Sequence, residues 1–581
     1  MKSLRLKSFF RSPSRPLLLF SAYFILILIT FHGLLHQNLI CDNVSRMDFY
    51  ESTNLGSFFL EGATAANGRL GNLTFFLLHR PLASLGITYT NHQWLFYLID
   101  FAVLALSLTI LFRIFTKNLS PQLSSRKASL FIFLALGLLV INPFMVESLA
   151  FMLPSHPQAL LCVALALYFL TKSPLLKPPH SKPPHHTIRN YLLSALFLTG
   201  AVLTYQNYYI HFIILSSLLI VLAQNNAKAN NVLAQNSARA NNAKATRPAS
   251  ATTKATPTFY SRIRQNYLRP LVKPLSLVFI SLLIWLAATF MYRIFNNTAD
   301  AKTLNFTLSL PTLFSRFASA TRLTLHDLAN GYGLYFISPI LLVSFALLAL
   351  PFAFTFIKQR RFKHFFLYGF TVLATFSLLY LHSISSDGFY LAPRILLPFF
   401  ALLTALLLAN YTRLPRLQLP LSLFLAIFTI ANILATTTTV TDLNITNRIE
   451  LAELSAILTT IKNHESTTNS KIDTIVIYST GQLGEITFDH AHLAHKNGFK
   501  SSHFLTATPW SDVAALEFLS RHPELLSPNT VTSSPPRSFT RQDPTTPIET
   551  VFPNFHLTQL TRFLPEERLK FDQNTLYWVT Y

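Results

Sequence analysis

The chain has 581 residues, of which 51% are apolar and only 12% are charged, and this composition excludes an ordinary soluble protein. The formal net charge of +23 does not indicate nucleic-acid binding, because the basic residues lie in short loops between apolar runs, where membrane insertion places them. Cys41 and Cys162 are far apart and belong to no His/Cys cluster. The sequence therefore predicts no disulfide framework, metal site or cofactor, although it leaves a divalent-metal requirement open.

The pattern of apolar runs predicts an all-α polytopic membrane domain at 16–436, after a basic cytoplasmic N-terminus at 1–15. The first run, 16–36, is long enough to cross a bilayer and lacks a convincing cleavage site, so we interpret it as a retained helix rather than a signal peptide. Ten further runs bring the total to about eleven helices, at 93–112, 129–149, 155–172, 190–206, 207–223, 274–292, 334–357, 364–382, 393–411 and 418–436.

The distribution of positive charge predicts the orientation of these helices. With the N-terminus inside, the cytoplasmic loops and adjoining helix ends carry 28 Lys and Arg residues, whereas the external segments and the helices up to residue 436 carry eight. This asymmetry is typical of inner loops. One cytoplasmic loop contains a low-complexity linker, 224–257, which is too poor in apolar residues to bury a core.

The composition changes after residue 436, and 15 of the 24 acids fall in the last 145 residues. We therefore predict a separate, small external α/β domain at 437–581. Its predicted elements are helices at 449–464 and 512–521, a buried strand at 474–478, and a closing strand at 576–581.

The first external loop, 37–92, carries the most informative charges. Asp42 and Arg46 lie in Asp42-Asn43-Val44-Ser45-Arg46, just past the first predicted helix, and Arg69 follows a glycine about twenty residues later. An acid in this place can act as general base on an acceptor hydroxyl, and arginines bind a lipid-linked phosphate through paired N–H donors. The simpler alternative is a local i,i+4 ion pair between Asp42 and Arg46, worth about 0.2–0.5 kcal/mol.

Other polar groups are predicted to lie at the same external face. They are Glu147 after Asn-Pro, the pair Tyr205-Gln206, Asp387 in Ser-Ser-Asp-Gly, and Arg394 after a proline. Charged and polar groups are expensive near a bilayer, so their gathering on one side favours a functional interpretation over a structural one.

Three weaker candidates for functional residues each have two interpretations. Asp100, an acid inside a predicted helix, is either a proton relay or the partner of a polar group on a neighbouring helix. His156, between two prolines, either caps a helix or contacts substrate. The segment 311–330 has the spacing of an interfacial helix, whose Arg316 and Arg322 contact either lipid headgroups or a donor phosphate.

Taken in order, these motifs resemble bacterial O-antigen glucosyltransferases of the Gtr type, which are polytopic membrane enzymes of the GT-C class. The shared pattern covers roughly residues 16–436. It comprises Asp-(Asp/Asn)-x-x-Arg after the first helix, Gly-Arg about twenty residues later, Tyr-Gln near the middle, and Pro-Arg opening a late helix. Family members often have two adjacent acids where this chain has Asp42-Asn43, so the resemblance does not extend to a metal-assisted or paired-carboxylate role.

The resemblance implies transfer of a sugar, typically glucose, from a polyprenyl-phosphate donor to an O-antigen or other cell-surface glycan. The reaction would take place at the periplasmic face of the bacterial inner membrane, with a separate synthase and flippase supplying the donor. Asp42 would be the general base, and Glu147 or Asp387 a possible second acid. The donor's phosphate and sugar would be bound by Arg46, Arg69, Arg394, Tyr205 and Gln206.

Other functional classes remain as alternatives. An O-antigen polymerase or ligase would concentrate its arginines in later, larger external loops. A transporter or flippase of lipid-linked sugars would show internal repeats, interrupted helices and polar residues at the bilayer midplane. A noncatalytic envelope-assembly protein is separated from all of these only by an activity test.

Overall fold

The chain is mostly helical and carries a small β-sheet near its C-terminus. The computed structural model describes residues 15–36, 81–118, 126–151, 155–172, 186–205, 207–220, 269–296, 310–358, 393–479, 512–521, 538–541 and 569–580. The predicted helix at 364–382 lies outside these ranges, as does the low-complexity linker.

Thirteen α-helices of eight residues or more are described in these ranges. They are α1 (Arg15–Phe31), α2 (Tyr89–Asn118), α3 (Arg126–Gly137), α4 (Phe144–Phe151), α5 (Ser155–Lys172), α6 (His186–Thr204), α7 (Tyr208–Ile220), α8 (Arg269–Asn296), α9 (Leu310–Ala329), α10 (Ile340–Lys358), α11 (Leu397–Arg413), α12 (Gln418–Thr468) and α13 (Asp512–Arg521). Short 3-10 turns follow α1 at His32–Leu35 and precede α11 at Pro393–Leu396. The bounds of α5 coincide with the predicted helix at 155–172.

Several helices are apolar enough to cross a membrane. Among the described residues, four are also long enough: Pro16–Leu35, Asn91–Asn118, Arg394–Arg413 and Pro415–Ile445. A bent pair, α4 with α5, qualifies as one broken span, and shorter apolar helices include α6 and α7. This architecture supports a helical membrane protein, whereas the number of about eleven spans stays a prediction.

The outer faces of these helices expose apolar side chains in stripes. On α12 the exposed residues recur every three or four positions, at Leu419, Leu423, Ile427, Ile430 and Leu434, whereas Leu425 and Phe428 face the core. An apolar stripe of this length would be unfavourable in water and is suited to contact with lipid chains.

The predicted helix at 129–149 is wrong in one respect, because the chain breaks it between α3 and α4. Pro143 disfavours a helical conformation at Asn142, and Asn142 caps the new helix. Its Oδ1 accepts a hydrogen bond from the Met145 N–H at 3.1 Å, and its Nδ2 donates to the Leu138 carbonyl at 3.0 Å. A separate change of direction follows α4, whose axis differs from that of α5 by 112°.

The predicted helix at 334–357 begins later than expected, at Ile340. Gly331, Tyr332 and Gly333 all adopt positive φ angles, which a right-handed helix does not allow. Pro339 directly precedes α10, where its missing N–H costs no helical hydrogen bond.

The predicted helices at 418–436 and 449–464 are a single helix, α12, of 51 residues. No glycine or proline interrupts it after Pro420, and its threonine hydroxyls donate to carbonyls four residues back, as Thr436 does to Asn432 at 2.7 Å. The helix ends where Asn469 turns left-handed. The predicted domain boundary at 436/437 therefore falls inside a continuous helix.

Among the described residues the sheet has four strands, β1 (Thr474–Ser479), β2 (Ser538–Arg541), β3 (Leu569–Asp572) and β4 (Thr575–Thr580), in the order β2-β1-β4-β3. β1 is parallel to β2 and β4, and β3 is antiparallel to β4. The predicted strands at 474–478 and 576–581 and the predicted helix at 512–521 are thus confirmed.

The core of this α/β unit includes residues of the long helix. Ile475 and Trp578 of the sheet pack in one cluster with Leu454 and Ile461 of α12, and Phe96 of α2 belongs to the same cluster. The sheet is consequently docked on the end of α12 and on the start of α2, rather than joined to the helical domain by a linker.

One amphipathic helix, α9, has the composition of a surface-lying segment. Its exposed side includes Phe314 (71% exposed) and Leu325 (46%) on one edge and Arg322 nearer the middle, whereas Ala320 and Leu328 are buried. The predicted helix at 311–330 is confirmed by these bounds. Apolar side chains flanking arginine suit a position at the boundary between acyl chains and headgroups.

We expect a nitroxide label at Leu325→Cys to lie roughly 5–10 Å below the phosphates, and a label at Arg322→Cys to lie at their level. Both labels are placed in a Cys41→Ser/Cys162→Ser background in nanodiscs, and depth is measured from the ratio of collisions with oxygen and with a water-soluble nickel chelate. Equal nickel accessibility at the two positions would contradict an interfacial α9.

Candidate functional site

The structure describes three of the eight residues predicted to form the site. Glu147, Tyr205 and Arg394 are described, whereas Asp42, Arg46, Arg69, Gln206 and Asp387 lie outside the described residues. The roles of those five therefore stay predictions.

Glu147 and Arg394 form an ion pair across 247 positions of sequence. Glu147 lies on the short helix α4, and Arg394 lies in the 3-10 turn before α11. The Arg394 backbone N–H donates to Glu147 Oε2 at 2.9 Å, and its guanidinium donates to Oε1 of the same carboxylate. Both oxygens of Glu147 thus hold a single arginine.

The two partners differ in exposure. The Glu147 side chain is 0% exposed and the Arg394 side chain is 15% exposed. A buried charge is tolerated only when it is paired and hydrogen-bonded. The fully buried Glu147 therefore needs its partner more than the partly exposed Arg394 does. This arrangement favours a positioning role for Glu147, which orients a guanidinium that reaches the edge of the core, over its predicted alternative as second acid.

Aromatic packing holds α4 in place. Phe144 makes edge-to-face contacts with Tyr332, at 5.0 Å between ring centroids, and with Phe400 of α11, at 5.4 Å. Tyr332 is fully buried and has a positive φ of 53°, which is uncommon for a residue other than glycine. The turn between α9 and α10 and the start of α11 therefore enclose the first turn of α4.

Tyr205 belongs to a buried group of four rings, which we call the ring cluster: His156, Tyr205, Tyr208 and His211. His156 lies 4.1 Å from Tyr205 and 5.7 Å from Tyr208, and Tyr208 stacks on His211 at 4.6 Å, all between ring centroids. A role as helix cap alone therefore does not account for His156. The residue lies in the first turn of α5, and its ring also packs on the two tyrosines.

The ring cluster adjoins the Arg394 turn. Asn207, between two of the tyrosines, donates from Nδ2 to the carbonyl of Ile395 at 3.4 Å. The predicted sugar-binding residue Tyr205 and the predicted phosphate-binding residue Arg394 are therefore brought to neighbouring segments. The hydrogen bond from Asn207 thus places the cationic Arg394 and the neutral ring cluster in the same region of the fold.

Sequence reasoning missed Tyr208 and His211. Their signal is the spacing of three between Tyr205, Tyr208 and His211, which places the last two on one face of α7. Within an apolar run this spacing is equally typical of a packed core. Only the contact of Tyr208 with His156, a residue of another helix, separates this group from an ordinary packed core.

The starting point of the Asp42 loop is anchored on α12. The Gly33 carbonyl accepts a hydrogen bond from Asn444 Nδ2 at 2.9 Å, and a Cβ at Gly33 would lie 2.6 Å from Val440 Cγ1. A larger residue would push the end of α1 away from α12. The chain is described up to His36, six residues before Asp42.

Metal ligation has no site in the part of the chain that the structure describes, because no group of three or more His, Cys, Asp or Glu residues is placed to hold an ion there. Comparisons with protein-family models, with curated proteins and with solved structures give no match.

Proposed function

We propose that this protein is a membrane glycosyltransferase that moves a sugar, glucose by resemblance, from a polyprenyl-phosphate donor to an O-antigen or other cell-surface glycan at the periplasmic face of the inner membrane. The observation that carries the proposal is Arg394, a guanidinium oriented by a buried carboxylate beside the ring cluster. Such a guanidinium suits a phosphate oxygen, because its planar N–H donors match an oxyanion.

The reaction assigned to these residues balances without a metal or a redox partner. The acceptor hydroxyl oxygen attacks the anomeric carbon, and its proton passes to the Asp42 carboxylate. The bond between the anomeric carbon and the phosphate oxygen breaks with its electron pair on that oxygen, where Arg394 stabilises the charge. A single displacement of this kind inverts the anomeric configuration.

Transfer by the purified protein tests the proposal. We expect wild-type protein in nanodiscs to move radiolabelled glucose from polyprenyl-phosphate glucose to isolated O-antigen, and to give no product with a nucleotide-sugar donor. Product formed equally well from a nucleotide sugar would contradict the lipid-donor assignment. Joining of O-antigen repeats to one another, without use of the monosaccharide donor, would indicate the polymerase or ligase class instead.

A lipid-linked sugar flippase is the second candidate, favoured by the broken pair of helices α4 and α5 and by the buried Asp100 within α2. Interrupted helices and intramembrane acids are typical of transporters. Transbilayer movement of a fluorescent polyprenyl-phosphate sugar in proteoliposomes, without any transfer to glycan, would favour this class.

A further inference from the structure

We infer that the ring cluster binds the neutral sugar ring of the lipid-linked donor, while Arg394 beside it binds the donor's phosphate; this inference rests on the proposed glycosyl transfer. The cluster consists of two imidazoles and two phenols, contributed by the start of α5, by Tyr205 and by the first turn of α7. No part of it carries the carboxylate or guanidinium that an ionic ligand would require.

Buried polar atoms without protein partners identify the ligand chemistry. Within the described part of the chain, the Tyr208 hydroxyl and the Ser155 hydroxyl are buried without any hydrogen-bond partner. Tyr208 is only 1% exposed, and Ser155 directly precedes His156. Because buried hydroxyls are normally satisfied, an unpartnered hydroxyl within the cluster and a second one on the residue next to His156 point to a hydroxyl-bearing ligand.

Aromatic side chains provide the other half of the recognition. A pyranose has apolar C–H faces and polar edges, which match a site lined by aromatic rings with a few hydroxyl and imidazole groups. The hydrogen bond from Asn207 to Ile395 ties this site to the Arg394 turn. A sugar in the cluster would therefore be joined to a phosphate near the guanidinium, which selects the donor over the acceptor glycan.

The enclosure of the cluster has a mechanistic consequence. None of its four side chains is more than 4% exposed. A sugar reaches it only if the helix ends that carry the rings separate, and their closing around the bound ring excludes water from the transfer. Exclusion of water disfavours hydrolysis of the donor, which is the side reaction of any such enzyme.

The test compares two lipids, polyprenyl-phosphate glucose and sugar-free polyprenyl phosphate, binding to full-length protein in nanodiscs. We expect Tyr208→Phe to reduce the ratio of the two affinities about fivefold, through loss of one hydrogen bond, while affinity for the sugar-free lipid stays unchanged. Ser155→Ala is the second variant, with the same direction expected. Both variants are expected to melt at or above the wild-type temperature, because each hydroxyl bonds no protein group.

Tyr191→Phe is the matched control, because the Tyr191 hydroxyl bonds Ser276 Oγ at 2.8 Å away from the cluster. This variant is expected to melt lower but to keep the ratio. An unchanged ratio in both Tyr208→Phe and Ser155→Ala would overturn the sugar site, and so would weakened binding of isolated O-antigen instead of the donor. Wild-type protein that binds neither lipid would refute the proposed function itself, which distinguishes the two failures.

Discussion

Replacing Glu147 with Gln is expected to abolish most donor-dependent transfer and to lower the free energy of unfolding by about 3–5 kcal/mol. The substitution removes the negative charge that Glu147 places against the mostly buried Arg394 guanidinium, which is the costly way to break an ion pair. With Arg394 no longer held, the Michaelis constant for the donor should rise about tenfold or more, as expected for loss of a charge-assisted contact. Steady-state kinetics and chemical unfolding in mixed micelles measure the two effects.

A double replacement separates stability from function. Glu147→Leu combined with Arg394→Met substitutes apolar side chains of similar volume for the ion pair, and such replacements are often neutral or stabilising. We expect near wild-type stability in this double variant and no recovery of donor binding. If transfer recovers together with stability, the ion pair is structural and Arg394 does not contact the donor.

An exposed ion pair in the same chain provides the control. Lys471 and Asp473 are 2.8 Å apart, with side chains 63% and 52% exposed. Asp473→Asn is therefore expected to change the free energy of unfolding by at most about 1 kcal/mol and to leave transfer unchanged. A positioning role for Glu147 also predicts that the pH dependence of kcat in Glu147→Gln keeps the wild-type shape, because Glu147 is not the base.

Helix positions were largely predictable from the sequence because apolar runs of membrane length dominate this chain. The failures are local. Between α3 and α4 the apolar run continues through Asn142-Pro143, and the break is made by a cap and a proline that hydropathy does not register. At α12 the reverse holds: the change of composition after residue 436 predicts the end of a span, although the helix continues and its threonine hydroxyls bond backbone carbonyls four residues back.

The candidate site was predictable as a set of residue types but not as contacts. The sequence predicts that Glu147 and Arg394 both lie at the external face. It does not show that these two residues, 247 positions apart, form an ion pair. The ion pair changes the chemistry expected of Glu147, because both oxygens of its carboxylate already accept hydrogen bonds from Arg394. The sequence does not single out Tyr208 and His211, because aromatic residues in an apolar helix are usually core packing, and the contact of Tyr208 with His156 depends on how α5 and α7 meet.

Replacing Asp42 with Asn is expected to lower kcat for sugar transfer by about 10²–10⁴-fold, the usual contribution of a general base. Asparagine keeps the shape and polarity of the side chain but cannot accept the proton of the acceptor hydroxyl. The Michaelis constant for the donor should stay within about twofold, because the substitution removes an interaction made in the transition state. Steady-state transfer in nanodiscs, from about pH 3.5 to 8 so that the range spans the usual pKa of an aspartate, measures both constants.

The direction of the pH effect follows from the same role. A general base acts only when deprotonated, so wild-type kcat is expected to fall toward low pH, and this decline should be lost in Asp42→Asn. Asp48→Asn, in the same loop, is the control and should leave both kcat and its pH dependence unchanged. Equal kcat for wild type and Asp42→Asn would remove Asp42 from the chemistry. Asp387 would then be the leading acid, because both oxygens of Glu147 already accept hydrogen bonds from Arg394.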